Sequence, residues 1–358
     1  MTFISPQKVF AHLDRMAAWQ RGGKPAPVTI EWDLSNRCVL GCTYGGAICH
    51  FAHTHTRGPW MSRDRRLPML YEGTGDQAHP DLVFRVLDEM AETGVRGIVW
   101  TGGGEPTTHP RWMEFVETAA DRGIEQGMYT LGGLLTPKTG ALLASKATWV
   151  VVSLDCATAI DYHTSKGVPL ERFEAACDGV RSLVGHRATV GVSFMLHEDN
   201  WRKAPAMLEL SRSLGASYTT FRPAIAEGPT TSLVGVQRDW ITEALPLLDS
   251  LSQEADVECD PPRFAAYRDW TGRSYETCHG IKFNATVTPD GRVWVCPQRR
   301  GLDGSMLGDL RNESFADIWA KHPGQWTELA DCRVMCRLHL LNTVLDSVYA
   351  PKRHEAFV

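Results

Sequence analysis

The stretch VTIEWDLSNRCVLGCTYGGAIC, residues 28–49, joins a short strand pattern to three closely spaced cysteines. VTIEW (28–32) is a β-rich apolar run, and Cys38, Cys42 and Cys49 follow it. In barrels of alternating strands and helices, the chemistry lies at the carboxyl ends of the strands. Because cysteine thiolates are the usual ligands of iron–sulfur clusters, three of them in this position indicate such a centre.

Zinc is the alternative interpretation of this cysteine group. HFAHTH, residues 50–55, offers His50, His53 or His55 as a fourth ligand, and structural zinc sites often combine cysteine with histidine. Three thiolates on a 4Fe–4S cluster would instead leave one iron open to a substrate or cofactor. The cysteine spacing alone leaves both interpretations open.

Outward from this stretch, strand-like runs alternate with amphipathic helices from residue 27 to about 222. The strand runs are VTIEW (28–32), GIVWT (97–101), GMYTL (127–131), TWVVVSLD (148–155), ATVGVSFML (188–196) and SYTTFRPA (217–224). The helical patterns cover about 81–94, 111–123, 137–145, 170–184 and 202–214. Continuous apolar strands separated by amphipathic helices imply a parallel sheet buried on both faces. The sequence therefore predicts an α/β fold, a partial (β/α)6 barrel.

The alternation stops after residue 224. A helix at about 237–254 is expected, and then NATVTPDGRVWVC predicts a hairpin with the turn signal Pro-Asp-Gly. A further helix and a cysteine-containing helix complete a small C-terminal α+β domain. We therefore expect five segments: an N-terminal helix (1–26), the barrel (27–235), a linker helix and loop (236–274), the cysteine-rich domain (275–345) and a tail (346–358).

Composition excludes several classes of protein. A net charge of −5 argues against a general nucleic-acid-binding protein, which would usually be basic. No apolar run approaches the ~20 residues of a membrane helix, and the N-terminus lacks the apolar region of a signal peptide. Most of the ten cysteines lie in two groups, which favours metal ligands over disulfides. We expect a cytoplasmic protein.

A glycine-rich motif, TGGGEP (101–106), directly follows the second predicted strand. It therefore lies at the same end of the barrel as the cysteines. Glycines without side chains let a ligand approach the main chain, and Glu105 could accept a hydrogen bond from an ammonium group. An ordinary turn between strand and helix is the alternative interpretation.

These motifs together resemble the radical S-adenosylmethionine (SAM) superfamily: Cys-x3-Cys with Tyr44 two residues later, then Gly-Gly-Glu after the next strand. In that family three cysteines hold a 4Fe–4S cluster whose open iron binds SAM. SAM is cleaved to a 5′-deoxyadenosyl radical, which abstracts a hydrogen atom from the substrate. The resemblance implies SAM contacts by the glycine motif and by the ends of strands four and five. The implied residues are Gly102, Gly103, Gly104, Glu105, Ser153, Asp155, Ser193 and Asn200.

The third cysteine departs from the family spacing of C-x3-C-x2-C. Gly45 occupies the position where the family has its third cysteine. The next cysteine is Cys49, which gives the spacing C-x3-C-x6-C. Because Gly45 and Gly46 make the segment pliable, we expect Cys49 to reach the cluster. The alternatives are two cysteines with a histidine such as His50, or a lost cluster.

Four more cysteines lie in the C-terminal domain, where VTPDGRVWVCP and LGDLRNESFADIW resemble the SPASM/twitch extension of radical SAM enzymes. Four thiolates fit the twitch form, with one auxiliary 4Fe–4S cluster, and a four-cysteine zinc site is the alternative. Cys332 and Cys336 are expected to share one face of a helix. The implied ligands are Cys278, Cys296, Cys332 and Cys336.

The sequence thus predicts a SAM-dependent oxidoreductase with two 4Fe–4S clusters, a small-molecule substrate and an external reductant of the flavodoxin or ferredoxin type. An epimerase, or a peptide- or nucleotide-modifying enzyme with Cys156 as hydrogen donor, is the alternative. Only about 27 residues precede strand one, fewer than the leader-binding domain of many peptide modifiers. A non-catalytic metal-binding protein is the third interpretation. Arg222, at the end of strand six, would hold an anionic substrate or form a surface salt bridge.

Overall fold

The computed structural model describes residues 5–44, 47–48, 77–224, 238–302, 304–329, 332 and 336–349. Its strands are β1 (Thr29–Asp33), β2 (Thr43–Tyr44), β3 (Ala47–Ile48), β4 (Gly97–Thr101), β5 (Glu125–Thr130), β6 (Trp149–Ser153), β7 (Thr189–Leu196), β8 (Tyr218–Pro223), β9 (Val257–Cys259), β10 (Asn284–Val287), β11 (Arg292–Trp294) and β12 (Met306–Asp309). Its α-helices are α1 (Leu13–Gln20), α2 (Pro80–Thr93), α3 (Trp112–Asp121), α4 (Pro137–Lys146), α5 (Ala159–Lys166), α6 (Glu171–Leu183), α7 (Ala204–Ser213), α8 (Trp240–Ser252), α9 (Pro261–Arg268), α10 (Phe315–Ala320) and α11 (His339–Tyr349).

Ten strands form one sheet in the order β12-β11-β10-β1-β4-β5-β6-β7-β8-β9, and β2 pairs with β3 separately. Strands β10, β1 and β4 to β9 are parallel to their neighbours. Strands β11 and β12 are antiparallel. The six predicted strands are β1 and β4 to β8, and helices separate them as expected. The predicted α/β fold with a partial (β/α)6 barrel is confirmed.

The C-terminal hairpin extends this sheet past β1. Strand β10 pairs in parallel with β1, with Thr29 opposite Asn284 and Glu31 opposite Thr286. The predicted Pro-Asp-Gly turn joins β10 to β11, and Gly291 adopts a left-handed φ of 85° there, which glycine tolerates. The sequence predicted the hairpin but not its pairing, because a local pattern does not identify a distant partner strand.

The two faces of the sheet differ in character. Register places Trp32, Trp100 and Met128 in one buried row. That face is covered by helices, since the Gln126 side chain donates a hydrogen bond to the Val116 carbonyl of α3 at 2.9 Å. We call the opposite face the inner face. It carries Glu31 and Asp33 on β1, Tyr129 on β5, Ser153 on β6, Ser193 on β7, and Tyr218, Thr220 and Arg222 on β8.

Glycines on the inner face make room for large rings on the neighbouring strands. A Cβ atom on Gly127 would lie 2.0 Å from the Trp149 ring, and one on Gly191 would lie 2.4 Å from the Tyr218 ring. These two positions are therefore closed to any larger residue while the rings stay in place.

Within the ranges described above, no helix has the length and apolar character needed to cross a membrane.

Candidate active site

The first cysteine loop begins where β1 ends, at the carboxyl edge of the parallel strands. Cys38 and Cys42 are buried, with 7% and 6% of their surface exposed. The Gly41 N–H donates to the Lys166 carbonyl at the end of α5, at 2.8 Å. The loop is therefore anchored to the helix that follows β6, and its two described thiols are held inside the protein.

The hairpin formed by β2 and β3 begins directly after Cys42. Thr43 pairs with Ile48, and Tyr44 pairs with Ala47. By Ile48 the chain has therefore returned alongside Thr43. Cys49 and the three histidines considered as zinc ligands lie outside the described residues.

The glycine motif packs against the backbone that leads into the cysteine loop. The Gly104 N–H donates to the Ser35 carbonyl at 3.0 Å, and the Glu105 N–H donates to the Arg37 carbonyl at 2.8 Å. A Cβ atom on Gly104 would lie 2.1 Å from the Arg37 carbonyl oxygen, and one on Gly102 would lie 2.8 Å from that of Ser35. This close approach explains why glycine stands at both positions, and it joins the two predicted motifs into one site.

The Glu105 side chain is buried, and residues of β5 hold its carboxylate. The Thr130 hydroxyl donates to Oε1 at 2.6 Å, and the Leu131 N–H donates to Oε2 at 2.7 Å. Thr107 donates to Oε1 through its N–H and its hydroxyl. Burial raises the pKa of Glu105, and these hydrogen bonds oppose the shift. Glu105 therefore holds the glycine motif against β5. An ammonium group bound as predicted would share the Glu105 carboxylate with these protein donors.

Asp155, just beyond β6, has a strained backbone. Within the described part of the chain it is the only residue other than glycine with a positive φ, at 63°, and such strain is concentrated at functional sites. Its Oδ1 accepts a hydrogen bond from the Met195 N–H at 2.8 Å, and its Oδ2 forms a buried ion pair with Lys166. This network links the ends of β6 and β7 to the helix that anchors the cysteine loop.

The remaining residues predicted to contact SAM lie at the same edge. Ser153 and Ser193 are opposite each other in the β6–β7 register. Asn200 closes the turn after β7, because its Oδ1 accepts from the His197 N–H at 2.8 Å and its Nδ2 donates to the Met195 carbonyl at 2.9 Å. The structure thus brings the predicted SAM-contacting residues to one edge of the sheet.

Cys156 lies next to Asp155 and is enclosed against α5. It is 4% exposed, and its Sγ lies 3.0 Å from the Ser165 hydroxyl. Burial raises the pKa of this thiol to about 11. The sulfur therefore keeps its proton at neutral pH, which is the form a hydrogen-atom donor requires.

The four C-terminal cysteines come together beside β10 and β11. Burial raises the pKa of Cys336 to about 11, and the nearby Cys278 and Cys332 thiols add to the shift. Burial also raises the pKa of Cys296, with further contributions from the other three thiols. The pairing of Cys278 with Trp326 helps to gather these distant parts of the chain. We call Cys278, Cys296, Cys332 and Cys336 the thiol cluster.

The expected helix through Cys332 and Cys336 is wrong. Both residues are non-helical, and α11 begins only at His339. The physical reason lies in the backbone, because the Leu338 N–H interacts with the Cys336 thiol and lowers its pKa. In a continuous helix that N–H would bond to a main-chain carbonyl instead.

Hydrogen-bond donors are directed at the thiol cluster. The Asn342 Nδ2 donates to the Cys278 sulfur at 3.1 Å, while its Oδ1 accepts from the N–H groups of His279 and Gly280 at 2.7 and 2.8 Å. An Arg299 guanidinium nitrogen lies 3.9 Å from the Cys332 sulfur. Donors of this kind stabilise thiolates and tune iron–sulfur clusters.

Across the described ranges, no three His, Cys, Asp or Glu side chains are grouped closely enough for a single metal ion. A four-cysteine zinc site requires all four sulfurs around one ion at about 2.3 Å. A 4Fe–4S cluster takes each thiolate on a different iron. The four thiols, two of them buried and two half-buried, and the N–H donors directed at them fit such a cluster.

A group of charged residues lies on the inner face, and only Arg222 among them was predicted from the sequence. Arg337 forms an ion pair with Glu31. The Arg222 and Arg337 guanidinium carbons lie 5.7 and 5.9 Å from the centre of the Tyr129 ring. Arg222 therefore faces the barrel interior and not the surface. The sequence IEWD in β1 could have indicated this group, because two acidic residues are costly in a strand buried on both faces unless positive charges lie nearby.

Two family models match the chain. One describes the radical SAM superfamily and matches residues 32–211. The other describes an iron–sulfur cluster-binding domain, SPASM, and matches residues 278–337. The first match covers the cysteine loop, the glycine motif and the strands up to β7, and the second contains the whole thiol cluster.

Several curated proteins are similar over most of their length. The chain is 23% identical over 318 residues to a tungsten-containing aldehyde ferredoxin oxidoreductase cofactor-modifying protein of Pyrococcus furiosus, covering 82% of this chain and 81% of that protein. It is 25% identical over 308 residues to a PqqA peptide cyclase of Methylobacterium sp., with coverage of 84% and 74%. It is 24% identical over 340 residues to an AdoMet-dependent heme synthase of Nitratidesulfovibrio vulgaris, with coverage of 93% and 81%.

Solved structures share the fold. SuiB of Streptococcus suis bound to S-adenosylmethionine superposes with a TM-score of 0.62 at 13% identity, covering 88% of this chain and 71% of SuiB. Native anSMEcpe with bound AdoMet gives a TM-score of 0.59 at 14% identity, covering 88% of each chain.

Proposed function

Because the chain belongs to the radical SAM superfamily and carries a SPASM domain, we propose that it is a peptide-modifying radical SAM enzyme with two 4Fe–4S clusters. The observation that carries the proposal is the joining of the cysteine loop to the glycine motif at the carboxyl edge, with a separate cluster of four thiols beside β10. The first group suits a cluster that binds SAM. The second suits a cluster that is held entirely by protein.

We assign the SAM-binding cluster to Cys38, Cys42 and Cys49. The pairing of Thr43 with Ile48 supports Cys49 as the third ligand. Thr43 follows Cys42 and Ile48 precedes Cys49, so this pairing brings the chain back beside Cys42 just before Cys49. With its cluster and SAM in place, this site would supply a 5′-deoxyadenosyl radical. Gly102, Gly103 and Gly104 offer main-chain contacts to SAM, and Ser153, Ser193 and Asp155 lie along the same edge.

The thiol cluster would hold the second 4Fe–4S group, whose chemistry is one-electron transfer. Full ligation by Cys278, Cys296, Cys332 and Cys336 leaves no open iron, which suits passing electrons and not binding substrate. An external reductant of the flavodoxin or ferredoxin type would supply the electron for SAM cleavage.

A peptide is the substrate class that the curated relatives favour. PqqA peptide cyclases from six different organisms occur among them, at 23–25% identity. The predicted small-molecule dehydrogenase has less support from these relatives than the alternative of a peptide-modifying enzyme. We therefore take the alternative as the proposed function.

Cys156 is the proposed hydrogen donor. Its protonated, buried thiol supports this role. It would give a hydrogen atom to the substrate radical and become a thiyl radical, which an electron from the external reductant and a proton would return to the thiol. In deuterated water the thiol carries deuterium, so the product should gain deuterium at the reacting carbon, and Cys156→Ala should abolish this gain. A product two hydrogens lighter, without solvent deuterium, would support the dehydrogenase instead.

Anaerobic reconstitution with iron, sulfide, SAM and dithionite tests the proposal. We expect about eight irons per chain and formation of 5′-deoxyadenosine. Cys49→Ala should abolish the formation of 5′-deoxyadenosine and leave about four irons per chain. His50→Ala should keep the iron content and the 5′-deoxyadenosine formation of the parent. Stoichiometric zinc, or full SAM cleavage by Cys49→Ala, would contradict the assignment. A protein with only the second cluster and no SAM cleavage would be the non-catalytic metal-binding protein.

A further inference from the structure

Tyr129 lies on the inner face, on the strand whose end holds the glycine motif. It is the residue before Thr130, whose hydroxyl donates to Glu105 at 2.6 Å. The Tyr129 side chain is only half-buried. Because it is on the inner face, its open part is turned to the interior of the barrel. The phenol is therefore close to the edge at which we place SAM.

Neighbouring side chains fix the position of the Tyr129 ring. The Trp149 ring meets it edge-on, with 5.1 Å between the centroids and 66° between the planes. Trp149 occupies the space beside Gly127, where a Cβ atom would lie 2.0 Å from the ring. On the open part, the Arg222 and Arg337 guanidinium carbons lie 5.7 and 5.9 Å from the centre of the Tyr129 ring. A tyrosine held in this way presents its hydroxyl in a defined place.

The proton of the Tyr129 hydroxyl has no acceptor in the protein as far as the chain is described. The Arg222 guanidinium interacts with the hydroxyl through a hydrogen bond. A guanidinium group only donates hydrogen bonds, so the phenol oxygen is the acceptor in this contact. The Arg337 guanidinium is also a donor only. The hydroxyl can therefore donate its own hydrogen bond to a molecule inside the barrel.

The charges around the hydroxyl favour a neutral acceptor. Burial acts to raise the pKa of Tyr129, but the positive charges of Arg222 and Arg337 lower it, and the lowering prevails. The phenol is therefore polarised towards donation, as in a chain of hydrogen bonds that strengthen one another. Glu31 already forms an ion pair with Arg337. A carbonyl oxygen, which brings no further negative charge beside Glu31, suits this place.

We propose that the Tyr129 hydroxyl donates a hydrogen bond to an amide carbonyl oxygen of the substrate and thereby positions the reacting residue of a peptide beside SAM. This inference rests on the proposed function, because it specifies how a peptide is held. A fixed carbonyl restricts the distance and the orientation of the neighbouring carbon. Abstraction of a hydrogen atom depends on both, since reacting groups must be held close together and aligned.

Binding to the anaerobically reconstituted holoenzyme with SAM, without reductant, tests the inference. The probes are N-acetyl-alanine methylamide and its analogue with sulfur in place of both carbonyl oxygens, because a thioamide has nearly the same shape but accepts hydrogen bonds less well. Calorimetry and saturation-transfer NMR should show that the amide binds about fivefold more tightly than the thioamide. Tyr129→Phe keeps the ring and removes the hydroxyl. It should weaken the amide about fivefold and leave the thioamide unchanged.

Tyr218→Phe is the matched control. Tyr218 is on the same face but at the first position of β8, four residues before Arg222. Loss of its hydroxyl should leave the affinities for both probes unchanged. Iron content and thermal melting check that each variant is folded and carries its clusters. If Tyr129→Phe loses iron, 3-fluorotyrosine at position 129 decides. Its more acidic hydroxyl should tighten binding of the amide and leave the thioamide unchanged.

Three results would overturn the inference. One is a parent protein that binds amide and thioamide equally or binds neither. Another is amide binding that Tyr129→Phe leaves unchanged. The third is an equal loss of both probes in Tyr129→Phe, which would mean that the ring packs against the substrate without a hydrogen bond. Formation of 5′-deoxyadenosine without a preference for the amide would overturn this inference alone. A Tyr129-dependent preference without 5′-deoxyadenosine formation would overturn the proposed function.

Discussion

Asn342 contacts the thiol cluster at Cys278 and the backbone that follows this cysteine. Its Nδ2 donates to the Cys278 sulfur, and its Oδ1 accepts from two backbone N–H groups. A donor to sulfur stabilises the additional negative charge of a reduced cluster. Asn342→Asp keeps the acceptor and removes the donor. We expect the reduction potential of the second cluster to fall by on the order of 60 mV, about 1.4 kcal/mol for one electron.

A redox titration followed by electron paramagnetic resonance measures this shift. Asn312→Asp, on an exposed turn, is the matched control and should leave the potential unchanged. A potential that stays the same in Asn342→Asp would mean that this amide does not reach the cluster.

His322 makes stability depend on pH. Its ring is fully buried between Trp19 and Trp319, at centroid distances of 5.4 and 4.4 Å. Burial lowers its pKa to about 4, below the ordinary value of 6.5. Between these values the unfolded state binds more protons than the folded state, so the free energy of unfolding falls as pH falls. From pH 7 to 5.5 we expect this residue to cost about 1 kcal/mol.

Urea unfolding at the two pH values measures this loss. His322→Phe should reduce the difference between them, whatever it does to stability at pH 7. His186→Gln, at an exposed position, should keep the full difference. If His322→Phe and the parent lose stability equally, another group is responsible.

Among the single residues of the site, those in short motifs could be predicted from the sequence. The cysteines and the glycine motif stand at recognisable spacings, and Arg222 ends a clear strand. The position of Arg337 could not be predicted, because it follows Cys336 in the chain and looks like an ordinary loop arginine. Only the folded chain brings it to Glu31.

At the scale of elements, the glycine motif and the cysteine loop act as one unit. A methyl group on Gly104 would lie 2.1 Å from the Arg37 carbonyl oxygen, and neither backbone can yield easily. Gly104→Ala should therefore displace the loop that holds Cys38. We expect the iron content to fall from about eight to about four per chain, with SAM cleavage reduced at least a hundredfold.

Gly133→Ala is the control for this substitution, because its added methyl group would lie 3.7 Å from the nearest atom, an ordinary contact. It should retain the iron content and SAM cleavage of the parent. If the Gly104→Ala protein keeps both clusters, the glycine motif and the cysteine loop can move apart without loss of the first cluster.

The main elements were predictable because their apolar patterns are local. Helices α2, α3, α4, α6, α7 and α8 match predicted helices to within a few residues. Strand β9 was missed, since VEC is too short to form a pattern. The pairing of β10 with β1 was missed because register between distant strands depends on the whole fold.

For the whole molecule, the C-terminal region completes the sheet. Strand β10 covers one edge of β1, and Arg300 and Arg337 neutralise the buried Asp33 and Glu31. A chain ending at residue 274 would expose that edge and leave both carboxylates without their arginines. An open edge and unpaired buried charges favour aggregation and unfolding.

We therefore expect the truncated chain to be insoluble or to lack a cooperative melting transition, when compared with the full chain by circular dichroism. A soluble truncated protein that melts cooperatively and still binds four irons would show that the barrel folds without its C-terminal strands. In that case the predicted boundary near residue 275 would also be a folding boundary.

The position of β10 has a consequence for synthesis on the ribosome. Thr29 and Asn284 are adjacent in the sheet but 255 residues apart in the chain (284 − 29). At about 5–20 residues per second, roughly 13–50 s pass before this second partner of β1 has been made, whereas the first partner, β4, follows much sooner. Throughout that interval the first cysteine loop lies beside an incomplete strand edge. A first cluster inserted during that interval would lie beside a strand edge that is still open.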